Sequence, residues 1–135
     1  MRRVDVSYAL STTTSHPFDA AITRVREELA DEGFGVLCEV DVQATLKNKL
    51  GVDREPYLIL GACNPQLAHG ALNAELELGV LLPCNVVVYR QDGETHISAV
   101  NAEQMLSLVG NDELSETAAE VRRRLASVVE KAAAA

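Results

Sequence analysis

Cysteine is scarce in this sequence, and its spacing excludes the chemistries that need it in sets. Three cysteines occur, Cys38, Cys63 and Cys84. None forms a Cys-x-x-Cys pair, so neither a zinc ribbon nor a disulfide framework is expected, and the thiols should be reduced. Basic residues are also few. Twelve Lys and Arg face twenty Asp and Glu, a formal charge of -8. Such a charge repels phosphate backbones and anionic lipid surfaces, which excludes nucleic acid as the expected partner. No apolar run approaches the roughly 20 residues that cross a bilayer. The longest, from Val80 to Tyr89, is broken by Pro83 and Asn85, so no membrane association is expected. Arg2 and Arg3 imitate the basic start of a signal peptide, but Asp5 interrupts the apolar run behind them, and the expected compartment is the cytoplasm. His16, His69 and His96 are scattered rather than set at metal-ligand spacing, so no metal and no cofactor is expected. Phosphate-loop, dinucleotide, nucleophile-elbow and zinc-protease patterns are absent. Neither a repeat nor a linker divides residues 1–135, and a chain of this length fits one domain.

What is present alternates between strand and helix patterns. Val4, Val6, Tyr8 and Leu10 recur at period two, which predicts a first strand. Thr12 to Ser15 reads as a turn and cap before a helix with Pro17 in its first turn, Phe18, Ile22, Val25 and Leu29 on its apolar side and Gly33 at its end. Phe34 to Val40 predicts a second strand, with Asp41 capping a short helix that ends at Gly51. Lys47 and Lys49 sit near the end of that helix, where its dipole favours cations. Tyr57 to Ala62 predicts a third strand in the interior of a sheet. Asn64 and Pro65 then start a helix with Leu67, Ala68, Ala71, Leu72 and Leu76 as its apolar stripe and Gly79 as its end. Cys84 to Tyr89 and Thr95 to Val100 predict a hairpin about Asp92-Gly93. Asn101 and Gln104 resemble a capping box. An amphipathic helix from about Glu113 closes the chain, with its final alanines frayed. Arg122, Arg123 and Arg124 on that helix have Glu116, Glu120 and Glu130 at pairing distance along it, so they read as a solvated face.

The candidate site lies at the two junctions where Cys-Asn pairs stand beside proline, Cys63-Asn64-Pro65 and Pro83-Cys84-Asn85. Cys63 precedes a helix N-terminus, whose free N–H groups and dipole stabilise a thiolate. A small core side chain is the plainer reading of a cysteine at the end of an apolar strand. Cys38, within a strand, reads as packing. Whether Cys63 and Cys84 meet depends on strand direction, which periodicity does not give.

The segments Gly33 to Val36, Leu46-Lys47-Asn48-Lys49-Leu50-Gly51, Pro56 to Pro65 and Leu81 to Val88, with Asp41, resemble the family called Domain of Unknown Function 302 over nearly the whole sequence. The resemblance implies an α+β fold in two layers, a curved, mainly antiparallel five-stranded sheet backed by helices, similar to the TATA-box-binding-protein-like architecture. It also implies a homodimer, and it implies no activity. The matching motif residues are Asp41, Lys47, Lys49, Cys63, Asn64, Pro65, Cys84 and Asn85. Two functions follow as expectations. One is a small ligand-binding or sensor domain whose pocket is lined by Cys63, Asn64, Cys84 and Asn85 with Asp41 and Lys47 at its rim. Its amides and helix N-terminus suit a small polar or anionic ligand. The alternative is a thiol-dependent redox protein or enzyme, with Cys63 attacking, Cys84 resolving, and Lys47 or His69 as the activating charge.

Overall fold

A computed structural model describes residues 6–135. Its sheet consists of β1 (Ala9–Thr14), β2 (Gly35–Asp41), β3 (Tyr57–Cys63), β4 (Cys84–Gln91) and β5 (Glu94–Val100), with α1 (Phe18–Asp31), α2 (Val42–Leu50), α3 (Pro65–Ala74), α4 (Ala102–Leu106) and α5 (Ser115–Ala133) between and after them. A 3₁₀ segment, Leu76–Leu81, leads into β4. The strand order is β1-β5-β4-β3-β2. Every neighbouring pair is antiparallel, as in the expected five-stranded α+β sheet backed by helices.

The turn chemistry explains much of this order. After α1 the chain makes a Schellman ending. Gly33 at φ +84° donates to Ala30 O, and Phe34 N–H donates to Leu29 O at 2.9 Å. Asp92 and Gly93 both take positive φ, 53° and 83°, which matches the right-handed twist of the β4–β5 hairpin.

One sheet face is packed by α1 and α5. Leu58, Leu60, Ala62, Val86, Val88, Ile97 and Ala99 meet Val25 and Leu29 of α1 and Leu125, Val128 and Val129 of α5 there. Each fully buried Leu or Val contributes about 1.5–3 kcal/mol relative to exposure. A second apolar cluster, Ala71, Leu78, Leu106, Leu114 and Ala118, joins α3, the 3₁₀ segment, α4 and α5 beside the sheet. The other sheet face carries Tyr57, Ile59, Val87 and Tyr89, all half-buried. Tyr89 stacks on Tyr57 at 5.2 Å and on His96 at 4.7 Å between centroids.

Four boundaries differ from the sequence reading. The first strand is Ala9–Thr14 rather than Val4–Leu10: Val4 lies outside the described residues, Val6 is not in a strand, and Thr12 to Thr14, read as turn and cap, pair with β5. β-Branched threonines suit a pleated edge, and the local cap signal yields to that pairing. Pro17 accordingly stands at the N-cap position, with α1 beginning at Phe18. The helix after Asn64 ends at Ala74, and Leu76 is exposed, because the chain turns into the 3₁₀ segment to bury Leu78. Ala133 and Ala134, expected to fray, are held by hydrogen bonds. Arg24 donates to Lys131 O, Ala132 O and Ala134 O, and Thr14 donates to Ala133 O at 2.9 Å. The arginine run is paired: Arg123 and Arg124 hold Glu120, and Arg122 reaches Glu103 of α4. The two guanidinium groups hold the Glu120 carboxyl down to about 2.

Candidate functional site

The candidate site forms where the two apolar clusters meet, at the end of the sheet where β3 runs into α3 and the 3₁₀ segment runs into β4. Antiparallel pairing of β3 and β4 sets Ala62 opposite Cys84, so Cys63 lies one residue beyond that register pair. Strand direction, which the sequence left open, therefore brings the two Cys-Asn junctions together. A cavity of about 340 Å³ opens between them. Its walls include Phe34, Leu67, Ala71, Leu72, Leu78 and Leu106, with Cys38, Cys63 and Cys84 among them. None of its lining residues is charged.

Two local features shape the wall. In β2 the register slips between Val36 and Cys38, so that Leu37 is the extra residue of a bulge; it is 70% exposed and also borders the cavity. Bulges of this kind re-aim side chains at sheet edges. Opposite the bulge, Gly61 leaves room for Cys38 and Pro83. A Cβ there would stand 2.6 Å from Cys38 Sγ and 2.8 Å from Pro83 Cγ. The Leu82–Pro83 peptide is cis.

The three thiols sit in different environments. Cys38 is exposed, Cys63 half-buried and Cys84 buried, and none is in a disulfide. Burial pushes the Cys84 thiol up to about 11, and the neighbouring Cys63 adds to the effect. Cys84 is thus a neutral thiol at physiological pH. Asn64 lines the cavity, but its amide oxygen accepts from Leu67 N–H at 3.1 Å as the cap of α3. Its Nδ2 stands 3.0 Å from where a Cβ on Gly33 would lie, so it also closes against the turn after α1.

The other residues expected at the site lie elsewhere. Asp41 caps α2, accepting from Ala44 N–H at 2.9 Å. Lys47 pairs with Asp53 at 2.8 Å and does not line the cavity. Asn85 is exposed and borders a depression on the open sheet face with Tyr57, Val87 and Tyr89. His69 is exposed on α3 and does not line the cavity. Sequence reasoning missed most of the wall, notably Met105, Thr117 and Val121. Their only signal is helical periodicity, which marks a buried side without saying which neighbour it meets. No group of three or more His, Cys, Asp or Glu that could hold a metal occurs among the described residues. No helix among them is long and apolar enough to cross a membrane.

A family model for a domain of unknown function, DUF302, matches residues 10–132. The chain belongs to the DUF302 family. The crystal structure of an uncharacterised conserved DUF302 protein from Bacillus stearothermophilus superposes with a TM-score of 0.88 at 34% identity, covering 94% of this chain and 99% of that one. No curated protein matches the chain. The matched residues span both Cys-Asn junctions.

Proposed function

We propose that this DUF302 domain binds a small, neutral, apolar molecule in the cavity between β3, β4, α3 and α5, and acts as a ligand-binding or sensor domain. The observation that carries this reading is the wall: about 340 Å³ lined mainly by aliphatic, aromatic and sulfur-bearing side chains, with Asn64 and Thr117 polar and not one charged group. That volume falls in the range of small-molecule sites. A small polar or anionic ligand fits less well than the Cys-Asn motifs imply. Asn64 caps α3 through its oxygen, which leaves its amide NH2 and the Thr117 hydroxyl as the polar groups of the wall, and Asn85, Asp41 and Lys47 lie outside it. The unpaired thiols fit a reducing compartment such as the cytoplasm.

The test uses N-phenyl-1-naphthylamine, a neutral dye that brightens in apolar surroundings. Saturable brightening and a raised melting temperature are expected with the wild-type chain, because a ligand of the folded state stabilises it by mass action. Both should be lost in Ala68→Phe, which places a ring into the space from a half-buried wall position, with circular dichroism confirming its fold. Equal brightening of wild type and A68F would overturn the reading.

A specific observation favours a second reading, a redox pair. Cys63 is close enough to Cys84 to act on its ionisation. The neutral state of Cys84 makes it a slow resolving thiol, so this reading is the weaker. A Cys63–Cys84 disulfide after mild oxidation, read by peptide mass spectrometry, would promote it.

A homodimer is also proposed, formed through the open sheet face. Half-buried Ile59 and Val87 there adjoin Val40, and Tyr8, which is 65% exposed, borders the same face.

A further inference from the structure

We propose that Cys63 captures the cavity's ligand covalently, and that the ligand class is a neutral apolar electrophile with a carbon–carbon double bond conjugated to a carbonyl. This inference rests on the proposed ligand-binding reading and adds a reaction to it.

Three nucleophilic side chains line a single uncharged cavity, and their surroundings separate their roles. Cys38 is exposed on the edge strand β2, where charged and apolar reagents reach it alike. Cys84 is more than nine-tenths buried, and its thiol stays protonated far above neutral pH. Cys63 lies between these extremes. It lines the cavity while half-buried, at the point where β3 gives way to α3. A molecule held by the hydrocarbon wall is therefore presented to one thiol that is neither sealed off nor open to every solute.

The selectivity comes from the wall. Charged thiol reagents and carboxylate-bearing electrophiles must shed their hydration to enter and find no charged partner there, only the Asn64 amide and the Thr117 hydroxyl. An apolar enone gains by burying its hydrocarbon, and its β-carbon is then held near Cys63, so a bimolecular addition becomes effectively intramolecular.

The step balances without a co-reactant. Cys63 loses its proton to water, and its sulfur forms the bond to the β-carbon. The carbon–carbon π pair moves onto the α-carbon through the enolate, and water returns a proton there. The net change is addition of S–H across the double bond, with no leaving group and no change of oxidant or reductant. The product is a thioether that fills the cavity.

The test pairs 4-phenylbut-3-en-2-one with its saturated analogue, 4-phenylbutan-2-one. Wild-type protein, Cys63→Ser and the urea-unfolded chain are treated with the enone, and adducts are assigned by peptide mass spectrometry. The expected result is a saturable adduct on Cys63, formed at least about ten-fold faster in the folded than in the unfolded chain, slowed by the saturated ketone and absent from C63S. An adduct on Cys38 alone, or a Cys63 rate that is linear in enone and no faster than in urea, overturns covalent capture. The saturated ketone separates the two readings. If it raises the melting temperature while the enone leaves Cys63 unmodified, ligand binding stands and capture falls. If neither ketone stabilises or labels the folded chain, both fall.

Discussion

Gly61 is the residue on which the floor of the cavity depends. With Cys38 Sγ at 2.6 Å and Pro83 Cγ at 2.8 Å from its missing Cβ, even one methyl group forces a shift in β2 or in the turn before β4. G61A should therefore cost about 1–3 kcal/mol in urea unfolding. Combining it with Cys38→Ala should recover part of the loss, because one of the two colliding atoms is gone. Cys84 makes a different prediction. Burial pushes its thiol from the ordinary 9.0 up to about 11, so the folded chain keeps its proton where the unfolded chain has lost it. Its contribution is fully present below pH 9 and is lost as pH rises towards 11, a fall of about 3 kcal/mol. Urea unfolding of wild type and Cys84→Ala between pH 8 and 11 checks this: the difference between their slopes should vanish below pH 9 and appear above it.

At the scale of elements, the C-terminus of α5 depends on α1. Arg24 gives three hydrogen bonds to carbonyls of the last turn, at 2.8, 2.9 and 3.1 Å, and its charge faces the negative end of the helix dipole. Arg24→Met keeps the aliphatic stem and removes the donors. It should cost about 1–2 kcal/mol, since part of the site is solvated. Hydrogen exchange should accelerate in the last turn of α5 before it changes in the sheet. Periodicity found α5 and its buried side. It gave no sign of this anchor, because Arg24 and Ala132 are 108 positions apart and no pattern within one helix reports on another.

For the whole molecule, the asymmetry of the sheet is the main fact. One face is covered by α1 and α5, while the other leaves Val40, Ile59 and Val87 in partial contact with solvent. If that face joins two copies, Val87→Lys at its central strand should turn a dimer into a monomer by light scattering without lowering the melting temperature of the subunit. An unchanged mass would remove the dimer from this face. Nothing in the strand alternation separated the two cases, since a face packed by helices and a face packed by a second copy carry the same apolar residues.

The sequence by itself determined most of the elements, and it did so where local chemistry is strong. The Asn64-Pro65 start of α3, the Asp92-Gly93 hairpin and the left-handed stops at Gly33 and Gly51 are all set by the conformational limits of single residues. It also marked Cys63, Asn64 and Cys84 as worth attention. Only the tertiary structure decided that β3 and β4 run antiparallel with Ala62 opposite Cys84, which gathers those residues at one cavity. It likewise sent Asp41, Lys47 and Asn85 to other surfaces. The physical reason is that caps and turns are satisfied within a few residues of chain, whereas the direction of a strand and the polarity of a cavity are properties of side chains brought together from elements distant in sequence.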